Sequence, residues 1–537
     1  MNFDQRKIYM IFNIYKIPSK NTSELNKKIS SKGLEPQKKN VDIGNFNASF
    51  YISRTEGNTV PWWKSYEQYI LPKTPEVRNV FNCGLLMITP KESKGYSYAV
   101  TLGNASLFLR PFIEKDFGIN VALRMANEDS VLLKKSTYHN GIKKGDASQY
   151  IEFKSGNYEP GESVDYLKLK AEDINSWGDN YIECSDSIKI NYNISPEKIY
   201  ELLDKIEATS QRDFLIKIPQ TRSIKERKTI ELLDKELYTS IVENEGKFSL
   251  TQINNINGSL TTELIGEKFK LGIKKKYKQI LQDILEADQI TDKLLFEYIH
   301  KNCNQETGIN DIVLQYTDSS GNEETERLKN LIEFSTQIKD NFYILKNGEW
   351  KVFNDTFMDH IKKSVDSIPH EIADELDDNE LQEYIKKKSE KKSLEYREYN
   401  FNCMMSERYG YKLFDRKNKY IENINGTNRR HPVELSDLYN ESEGELISVK
   451  IGDSNPHLIY NIKQSSGAIE LLMNGALEFD QKIKIASLWF VLEKKIEKIT
   501  LLDKILVILA IDEWKKYIIN MGLTPKIYIS HHKIKKS

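Results

Sequence analysis

Alternating apolar and polar residues mark the beginning of the chain as sheet. The alternation runs through Lys7–Ile17, and Asn79–Lys94 and Tyr96–Leu102 then have the pattern of a β-hairpin. A polar stretch at Asn193–Glu197 ends this part, with a serine and a proline placed to start a helix. We expect an N-terminal α+β domain over residues 1–194.

The pattern changes to helical spacing in the middle of the chain. Ile199–Ile216 and Ile224–Val242 have this spacing, and Gly272–Glu286 places apolar residues as an amphipathic helix would. The last of these segments carries a basic stripe that includes Lys274, Lys275 and Lys276. Such a stripe can follow a nucleic-acid backbone, although a solvated helix face is its commoner source. The pattern predicts a mostly helical middle region over residues 195–392.

After a charge-rich segment that ends near Lys392, the predicted elements shorten and alternate. A helix at Glu395–Arg408 precedes three short strands, and a helix, a strand, a helix and a strand follow. The strands are predicted at Tyr411–Phe414, Val433–Tyr439, Glu445–Ile451, Ile485–Leu492 and Lys526–Ser530, and the two later helices at Gln464–Leu477 and Leu502–Met521. This order predicts a mixed sheet flanked by helices over residues 393–537. The whole chain is therefore expected to be a multidomain α+β and α/β protein.

Charge and cysteine content narrow the functional classes. The 537 residues include 78 Lys+Arg and 79 Asp+Glu, so a nucleic-acid contact must come from a local patch. The four cysteines form no CxxC pair, which argues against a zinc ribbon and a disulfide scaffold. The N-terminus lacks the apolar core of a signal peptide, and no apolar run is long enough to span a membrane. We expect a cytoplasmic protein without a membrane partner.

Acidic residues and a lysine follow one another along the strands of the C-terminal third. Asp415, Glu434 and Asp437 precede Lys450. Carboxylates on neighbouring strands can hold Mg²⁺, which prefers oxygen ligands, and a lysine amine can stabilise developing negative charge. A two-residue strand period places Leu435 and Asp437 on one face, so that Asp437 and Lys450 converge if the register agrees. An ordinary solvated strand face is the alternative interpretation.

Further candidates surround these four residues. Arg429 and Arg430, just before the second strand, can grip a phosphate backbone. Glu398 and Glu407 on the leading helix can supply an additional carboxylate. Gln464, near the predicted start of the following helix, is a further polar candidate.

Two stretches carry a resemblance to a known family. The segment YAVTLGNASLFLRPFIEKDFGINVALRMAN spans Tyr98–Asn127, and Glu434, Asp437 and Lys450 belong to an E-x-x-D-L phrase followed by V-K. Both phrases resemble a sporadically distributed bacterial family of uncharacterised function, often encoded near restriction–modification or phage-defence genes. The resemblance implies an antiviral role and a phage protein or a partner defence subunit as partner. No glycine-rich loop or HRD loop accompanies the DFG string, so we expect no kinase and place Asp116 at a turn before a strand.

The C-terminal third also resembles the PD-(D/E)xK restriction-endonuclease-like superfamily in its element order and in Asp437 and Lys450. This resemblance implies a Mg²⁺-dependent endonuclease acting on DNA or RNA, with Mn²⁺ as a substitute metal. Asp437, Glu434 and Asp415 would be metal ligands, with Lys450 as a catalytic residue. The superfamily pattern places an acid two residues before the lysine, where this chain has Ser448. Glu445 stands an odd number of positions from Lys450 and should face the other side.

The serine keeps other interpretations open. One is a catalytically inactive sensor or scaffold that binds nucleic acid or a partner protein. Another is a different enzyme, such as a nucleotidyl transferase. A homo-oligomer is also compatible with the sequence.

Overall fold

The structure is a computed structural model, and it describes most of the chain in separate segments. These are residues 10–31, 33–126, 128–138, 145–151, 158–243, 248–250, 268–274, 282–287, 292–302, 309–317, 323–339, 341–346, 348–388, 396–415, 418–422, 430–475, 477, 479–502 and 504–534. The chain divides into two compact units, each described by itself below. The first comprises Met1–Thr137, Lys144–Tyr158 and Ser163–Ile218, and the second comprises Tyr138–Lys143, Glu159–Glu162 and Pro219–Ser537. The domain limits at residues 194 and 392 stay a prediction.

The first unit is built on a ten-stranded sheet. Its strands are β1 (Met10–Pro18), β2 (Glu35–Ile43), β3 (Phe46–Thr59), β4 (Arg78–Pro90), β5 (Tyr96–Gly103), β6 (Val131–Tyr138), β7 (Gly145–Gln149), β8 (Glu162–Leu169), β9 (Ile182–Cys184) and β10 (Ser187–Tyr192). They lie in the order β2-β3-β4-β5-β1-β10-β9-β8-β6-β7. The helices are α1 (Thr22–Ser31), α2 (Pro61–Ser65), α3 (Ser106–Leu109), α4 (Phe117–Ala122), α5 (Ile174–Trp177) and α6 (Ile199–Ser210). Apolar side chains of the sheet, α4 and α6 form the main core of this unit.

The segment that follows Gly118 is a helix, so the predicted strand there is wrong. Asp116 precedes α4 with a left-handed backbone (φ +58°), and its N–H donates to Asp186 Oδ1 at 2.9 Å. A Cβ on Gly118 would lie 2.0 Å from the carbonyl oxygen of Ser187. Packing therefore explains the glycine of the DFG string, because only glycine lets this helix approach β10 so closely.

We predict that Gly118→Ala destabilises the first unit by about 3 kcal/mol, since overpacking against rigid backbone costs about 1–3 kcal/mol and more where nothing can yield. The measurement is the unfolding midpoint of the full chain in urea. Gly145→Ala, on β7 of the same unit, is the matched control, because its φ is not positive and its Cβ would lie 3.4 Å from Ser136 O, an ordinary contact distance. An equal shift for both variants would contradict this account of the helix contact.

The first part of the second unit contains two antiparallel sheets, so the mostly helical middle region is a wrong prediction for the described residues. Its elements are β11 (Thr221–Ser223), α7 (Arg227–Glu243), β12 (Phe248–Leu250), β13 (Lys268–Ile273), β14 (Gln282–Ala287), α8 (Asp292–Asn302), β15 (Ile312–Thr317), β16 (Glu323–Arg327), β17 (Ile332–Ile338), β18 (Asn341–Lys346), β19 (Glu349–Phe353) and α9 (Asp355–Asp366). The sheet orders are β11-β19-β18-β17-β12 and β14-β13-β15-β16. The register between β13 and β14 shifts between Leu271 and Ile273, which breaks the alternation that marks a strand in sequence.

In the remainder of the second unit, two short strands and a helix come first, and the elements from Arg397 onward have the predicted order α-β-β-β-α-β-α-β with an added hairpin. Its elements are β20 (His370–Ile372), β21 (Leu376–Asp377), α10 (Asp378–Lys388), α11 (Arg397–Tyr409), β22 (Lys412–Leu413), β23 (Asn418–Glu422), β24 (Arg430–Glu434), β25 (Leu438–Asn440), β26 (Glu445–Ile451), α12 (Asn455–Met473), β27 (Ile485–Leu492), α13 (Ile505–Asn520) and β28 (Thr524–Lys533). The predicted bounds of β26 and β27 are confirmed. The predicted strand Val433–Tyr439 is in fact β24 and β25 with Asp437 between them, and α12 begins at Asn455 rather than at Gln464.

The mixed sheet of this part has the order β20-β28-β27-β26-β25-β22, with β21 also paired to β28. Strands β26, β27, β28 and β20 run parallel, while β25 and β22 are antiparallel additions at one edge. The connections from β26 to β27 and from β27 to β28 have the same handedness, so α12 and α13 lie on one face of the sheet. Leu488 and Phe490 of β27 belong to the core beneath these helices. Trp489 and Val491 face the other way and pack with Phe401 of α11. Among the described residues no helix is long and apolar enough to cross a membrane.

Candidate metal centre

Three carboxylates meet where β22, β24 and β25 begin or end. Asp415 follows β22, Glu434 is the last residue of β24, and Asp437 immediately precedes β25. One oxygen from each lies within 4.8 Å of the others. The backbone N–H of Asp415 donates to the carbonyl of Asp437 at 2.9 Å, which ties two of the segments together. The structure thus brings together the three residues that the sequence proposes as metal ligands.

The position of Asp437 follows from the unequal lengths of β25 and β26. The backbone N–H of Asp437 makes a last strand-like contact with Ile447 O at 3.1 Å, and β26 then continues without β25 beside it. Asp437 Oδ2 accepts the next amide, that of Val449, at 2.6 Å. Glu398 Oε2 accepts the one after it, from Ile451, at 3.1 Å. Two side-chain carboxylates therefore take the place of a strand partner, because each exposed strand amide needs an acceptor.

The structure corrects the predicted position of Asp437. Asp437 was expected to lie within a strand and to share a face with Leu435. It lies instead in the bend that leads into β25, and its carboxylate points along the edge of β26 toward Val449 N. Asp437 therefore reaches the backbone one residue before Lys450 through this edge contact rather than through strand alternation.

The electrostatic environment of Asp437 disfavours its ionised form. Removal from water raises the pKa of this carboxyl group well above its usual value, and the charges of Asp415, Glu398 and Glu434 raise it further. The hydrogen bond from Val449 N acts in the opposite direction. Like charges gathered in this way are stable as carboxylates when a cation neutralises them.

Asn402 supports the cluster from α11. Its Nδ2 donates to Asp415 Oδ2 at 2.9 Å and lies 3.4 Å from Asp437 Oδ1. The side chain is fully buried, and its Oδ1 has no hydrogen-bond partner among the described residues. Sequence reasoning missed this residue. The available signal was its position four residues after Glu398, which places both polar side chains on one face of the helix.

Lys450 lies at the same edge but contacts a different acid. Its Nζ is 3.1 Å from Glu398 Oε1, and both side chains are partly exposed. The charge of Glu398 also raises the pKa of Asp437, so this glutamate lies near the cluster as well as next to the lysine. Ser448, the residue in place of an acid, is buried. Glu445 faces the opposite side, as expected, where it accepts a hydrogen bond from Tyr528 OH at 2.9 Å.

The other predicted site residues are distributed unevenly. Gln464 Nε2 donates to Glu434 Oε2 at 3.2 Å, so this glutamine belongs to the cluster. Glu407 pairs with Lys388 and accepts from Tyr384 OH at 3.0 Å, which assigns it to the helix surface. Arg430 begins β24, but its side chain lies outside the described residues, as do Arg429, Lys275 and Lys276.

Lys274 is the one residue of the predicted basic stripe that the structure describes. It follows β13 as an exposed residue outside any helix, and its backbone N–H donates to Asp311 O at 2.8 Å. The helical stripe is therefore a wrong prediction at this residue. A role of this side chain in nucleic-acid binding stays a prediction.

The donor set suits a hard divalent cation. Oxygens opposite each other around Mg²⁺ are separated by about 4.2 Å, and the distances around Ca²⁺ are somewhat longer. Carboxylate oxygens within 4.8 Å of one another need only a small contraction to reach such geometry. Asn402 and Gln464 already orient two of the three carboxylates, as outer residues of metal sites commonly do.

Comparison with known proteins identifies the family of this chain. A family model with the description "Family of unknown function (DUF6119)" matches residues 12–487. The chain belongs to this family. Neither the curated proteins nor the solved structures gave a significant match.

We predict that Asp437→Asn changes stability in opposite directions with and without metal. In the metal-free protein the folded-state pKa is raised, so the folded chain holds more protons than the unfolded chain and stability falls as pH rises from the unfolded pKa through the raised value. The uncharged side-chain amide of Asp437→Asn removes this loss of stability at high pH. In EDTA the variant should therefore melt at or above the wild-type temperature at pH 8, and the difference should shrink in acid.

Addition of Mg²⁺ or Mn²⁺ should raise the melting temperature of the wild type and leave that of Asp437→Asn nearly unchanged, because ligands that bind only the folded state stabilise it. Asp480→Asn removes an exposed carboxylate from the same unit and serves as the control. A metal-dependent rise of equal size in all three proteins would contradict the assignment of Asp437 as a ligand.

Proposed function

We propose that this member of a family of unknown function is a Mg²⁺-dependent nuclease whose reaction takes place at Asp415, Glu434, Asp437 and Lys450. The observation that carries the proposal is the convergence of three carboxylate oxygens within 4.8 Å beside the strand that bears the lysine. The order of helices and strands along the C-terminal part, which resembles that of the PD-(D/E)xK superfamily, supports the proposal. Mn²⁺ is expected to replace Mg²⁺.

Each residue has a separate task in this proposal. Asp415, Glu434 and Asp437 hold the cation, which when bound polarises a phosphodiester and neutralises its developing charge. Asn402 and Gln464 keep the carboxylates oriented through the hydrogen bonds described above. Lys450 contacts a non-bridging phosphate oxygen. Because its amine pairs with Glu398 in the free protein, an incoming phosphate competes with that carboxylate for the amine.

The serine at position 448 defines how this site differs from the superfamily pattern. Ser448 is buried and contributes no carboxylate. Glu398 lies on α11 with its two oxygens at the amine of Lys450 and the amide of Ile451. We assign Glu398 the task of keeping the lysine and the end of β26 in place, as a positioning residue rather than a ligand.

The same serine favours a second candidate function. With three carboxylates and a serine in place of the acid two residues before Lys450, the site can bind a cation and a phosphate without cleaving the ester. The protein would then be a sensor or scaffold for nucleic acid or for a partner protein. Cleavage assays distinguish the two.

We predict that purified protein cuts plasmid DNA or RNA in the presence of Mg²⁺ or Mn²⁺. Asp437→Asn and Lys450→Ala should each lower the rate about 100-fold or more, as expected for loss of a metal ligand or of electrostatic stabilisation of the transition state. Glu407→Gln is the control, because Glu407 lies on the same helix as Glu398 but pairs with Lys388. Cleavage that survives both substitutions would reject the site, and folded protein that never cuts would favour the binding function.

We also propose a role in defence against phage, which rests on the resemblance of the Tyr98–Asn127 and Glu434–Lys450 phrases to a family encoded near defence genes. The trigger in this proposal is phage nucleic acid or a phage protein.

The defence role predicts that cells expressing the chain form fewer phage plaques than cells without it. Protection should be lost with Asp437→Asn, because the proposed action requires the metal site, and retained with Asp480→Asn. Equal plaque numbers with and without the wild-type chain across diverse phages would contradict the role.

A further inference from the structure

One face of α12 leads away from the metal centre and is open to solvent. Gln464, which contacts Glu434, is followed toward the helix N-terminus by Tyr460 and His457 on the same face, since residues three, four and seven apart align on a helix. Tyr460 is 49% exposed and His457 is exposed. The opposite face, with Leu458 and Ile462, is buried in the core.

The direction of α12 places this face next to the end of β26. Only residues 452–454 separate Ile451 at the end of the strand from Asn455 at the start of the helix. The helix then runs back along the sheet, so that its first turns are nearest the strand end that carries Lys450. Tyr460 and His457 therefore stand on the Lys450 side of Gln464, at a rise of about 6 Å and about 10 Å.

A glycine extends the same row in the other direction. Gly467 follows Gln464 by three residues, in the middle of a 19-residue helix, where glycine costs about 1 kcal/mol relative to alanine. No heavy atom of the described residues lies within 4 Å of the position its Cβ would occupy. Internal packing thus gives no reason for a glycine here. The open space lies beside Gln464 and exposes helix backbone to an external ligand.

We propose that the row His457, Tyr460, Gln464 and Gly467 is the track on which a nucleic-acid strand lies beside the metal centre, with one unpaired base stacked on Tyr460. This inference rests on the proposed function and adds the residues that hold the substrate and its single-stranded character. The spacing fits, because the distance from Gln464 to His457 is about the length of three stacked nucleotides at about 3.4 Å each.

The chemistry of the row favours a nucleic-acid strand over a protein segment. The four residues of the row include no acid, and Lys463 is exposed at its border. Glu434, which Gln464 contacts, is a ligand of the proposed cation, and the bound cation would offset its charge. A half-exposed tyrosine ring offers a stacking surface to any base. The glycine lets sugar or phosphate atoms approach the helix closely, as glycines at nucleotide sites do.

The test measures binding without cleavage. Full-length Asp437→Asn protein is titrated in Mg²⁺ buffer into fluorescently labelled single-stranded DNA and RNA, with a duplex of the same sequence for comparison. Tyr460→Ala in this background should weaken single-strand binding about tenfold, in line with the loss of one stacked base. Tyr460→Phe keeps the ring and should restore most of the binding. Met473→Ala, an exposed change at the far end of α12 and off the row, should have no effect.

Gly467→Ala separates a ligand contact from a structural role. The added methyl group should raise the melting temperature, because alanine favours helix, and should weaken strand binding several-fold. Unchanged binding in both Tyr460→Ala and Gly467→Ala would overturn the track and leave the nuclease proposal untouched. Binding that depends on Tyr460 would support the track even if the wild type cuts nothing. Protein that binds no oligonucleotide would also overturn it, and the separate cleavage assay decides the nuclease proposal.

Discussion

The site depends on one mismatch in length, because β26 extends beyond the strand that pairs with it. The amides of Val449 and Ile451 are left at an open edge, and Asp437 and Glu398 accept them at 2.6 Å and 3.1 Å. A strand edge satisfied by carboxylates is also a place where negative charge collects. The positions of Asp437 and Glu398 thus follow from an ordinary requirement of backbone hydrogen bonding.

Charge balance determines the rest of the arrangement. Asp415 and Glu434 add to the negative potential that raises the pKa of Asp437, and the amides of Asn402 and Gln464 hold these acids without neutralising them. The amine of Lys450 is paired with Glu398 rather than with the three-carboxylate cluster. The free protein therefore keeps its anionic and cationic groups adjacent but separate. A divalent cation and a phosphate would each find a complementary partner.

Sequence reasoning succeeded where periodicity is strong and local. The bounds of β26 and β27 agreed with the pattern, because both strands are mostly buried and β27 carries the apolar run Leu488–Leu492. The convergence of Asp415, Glu434 and Asp437 could be proposed because they lie on, or directly after, strands that were predicted to be neighbours.

The pattern of apolar and polar residues did not predict the structure where tertiary contacts determine it. The spacing of Asn402 from Glu398 shows only a shared helix face, and its contacts with Asp415 and Asp437 appear when α11 is placed against β22 and β25. The helix at Phe117–Ala122 depends on a contact with β10 that no local pattern records. The predicted helix Gly272–Glu286 overlaps the end of β13 and most of β14, where a register shift between Leu271 and Ile273 disguised the strand alternation.

The central claim is that Asp415, Glu434 and Asp437 form one cation site. Crystals of the full chain grown with Mn²⁺ test it most directly through the anomalous difference density of the metal. The account predicts a peak about 2.1–2.2 Å from an oxygen of each of the three carboxylates. Ordered carboxylates with no peak between them at saturating Mn²⁺, or a peak bound by other residues alone, would contradict it.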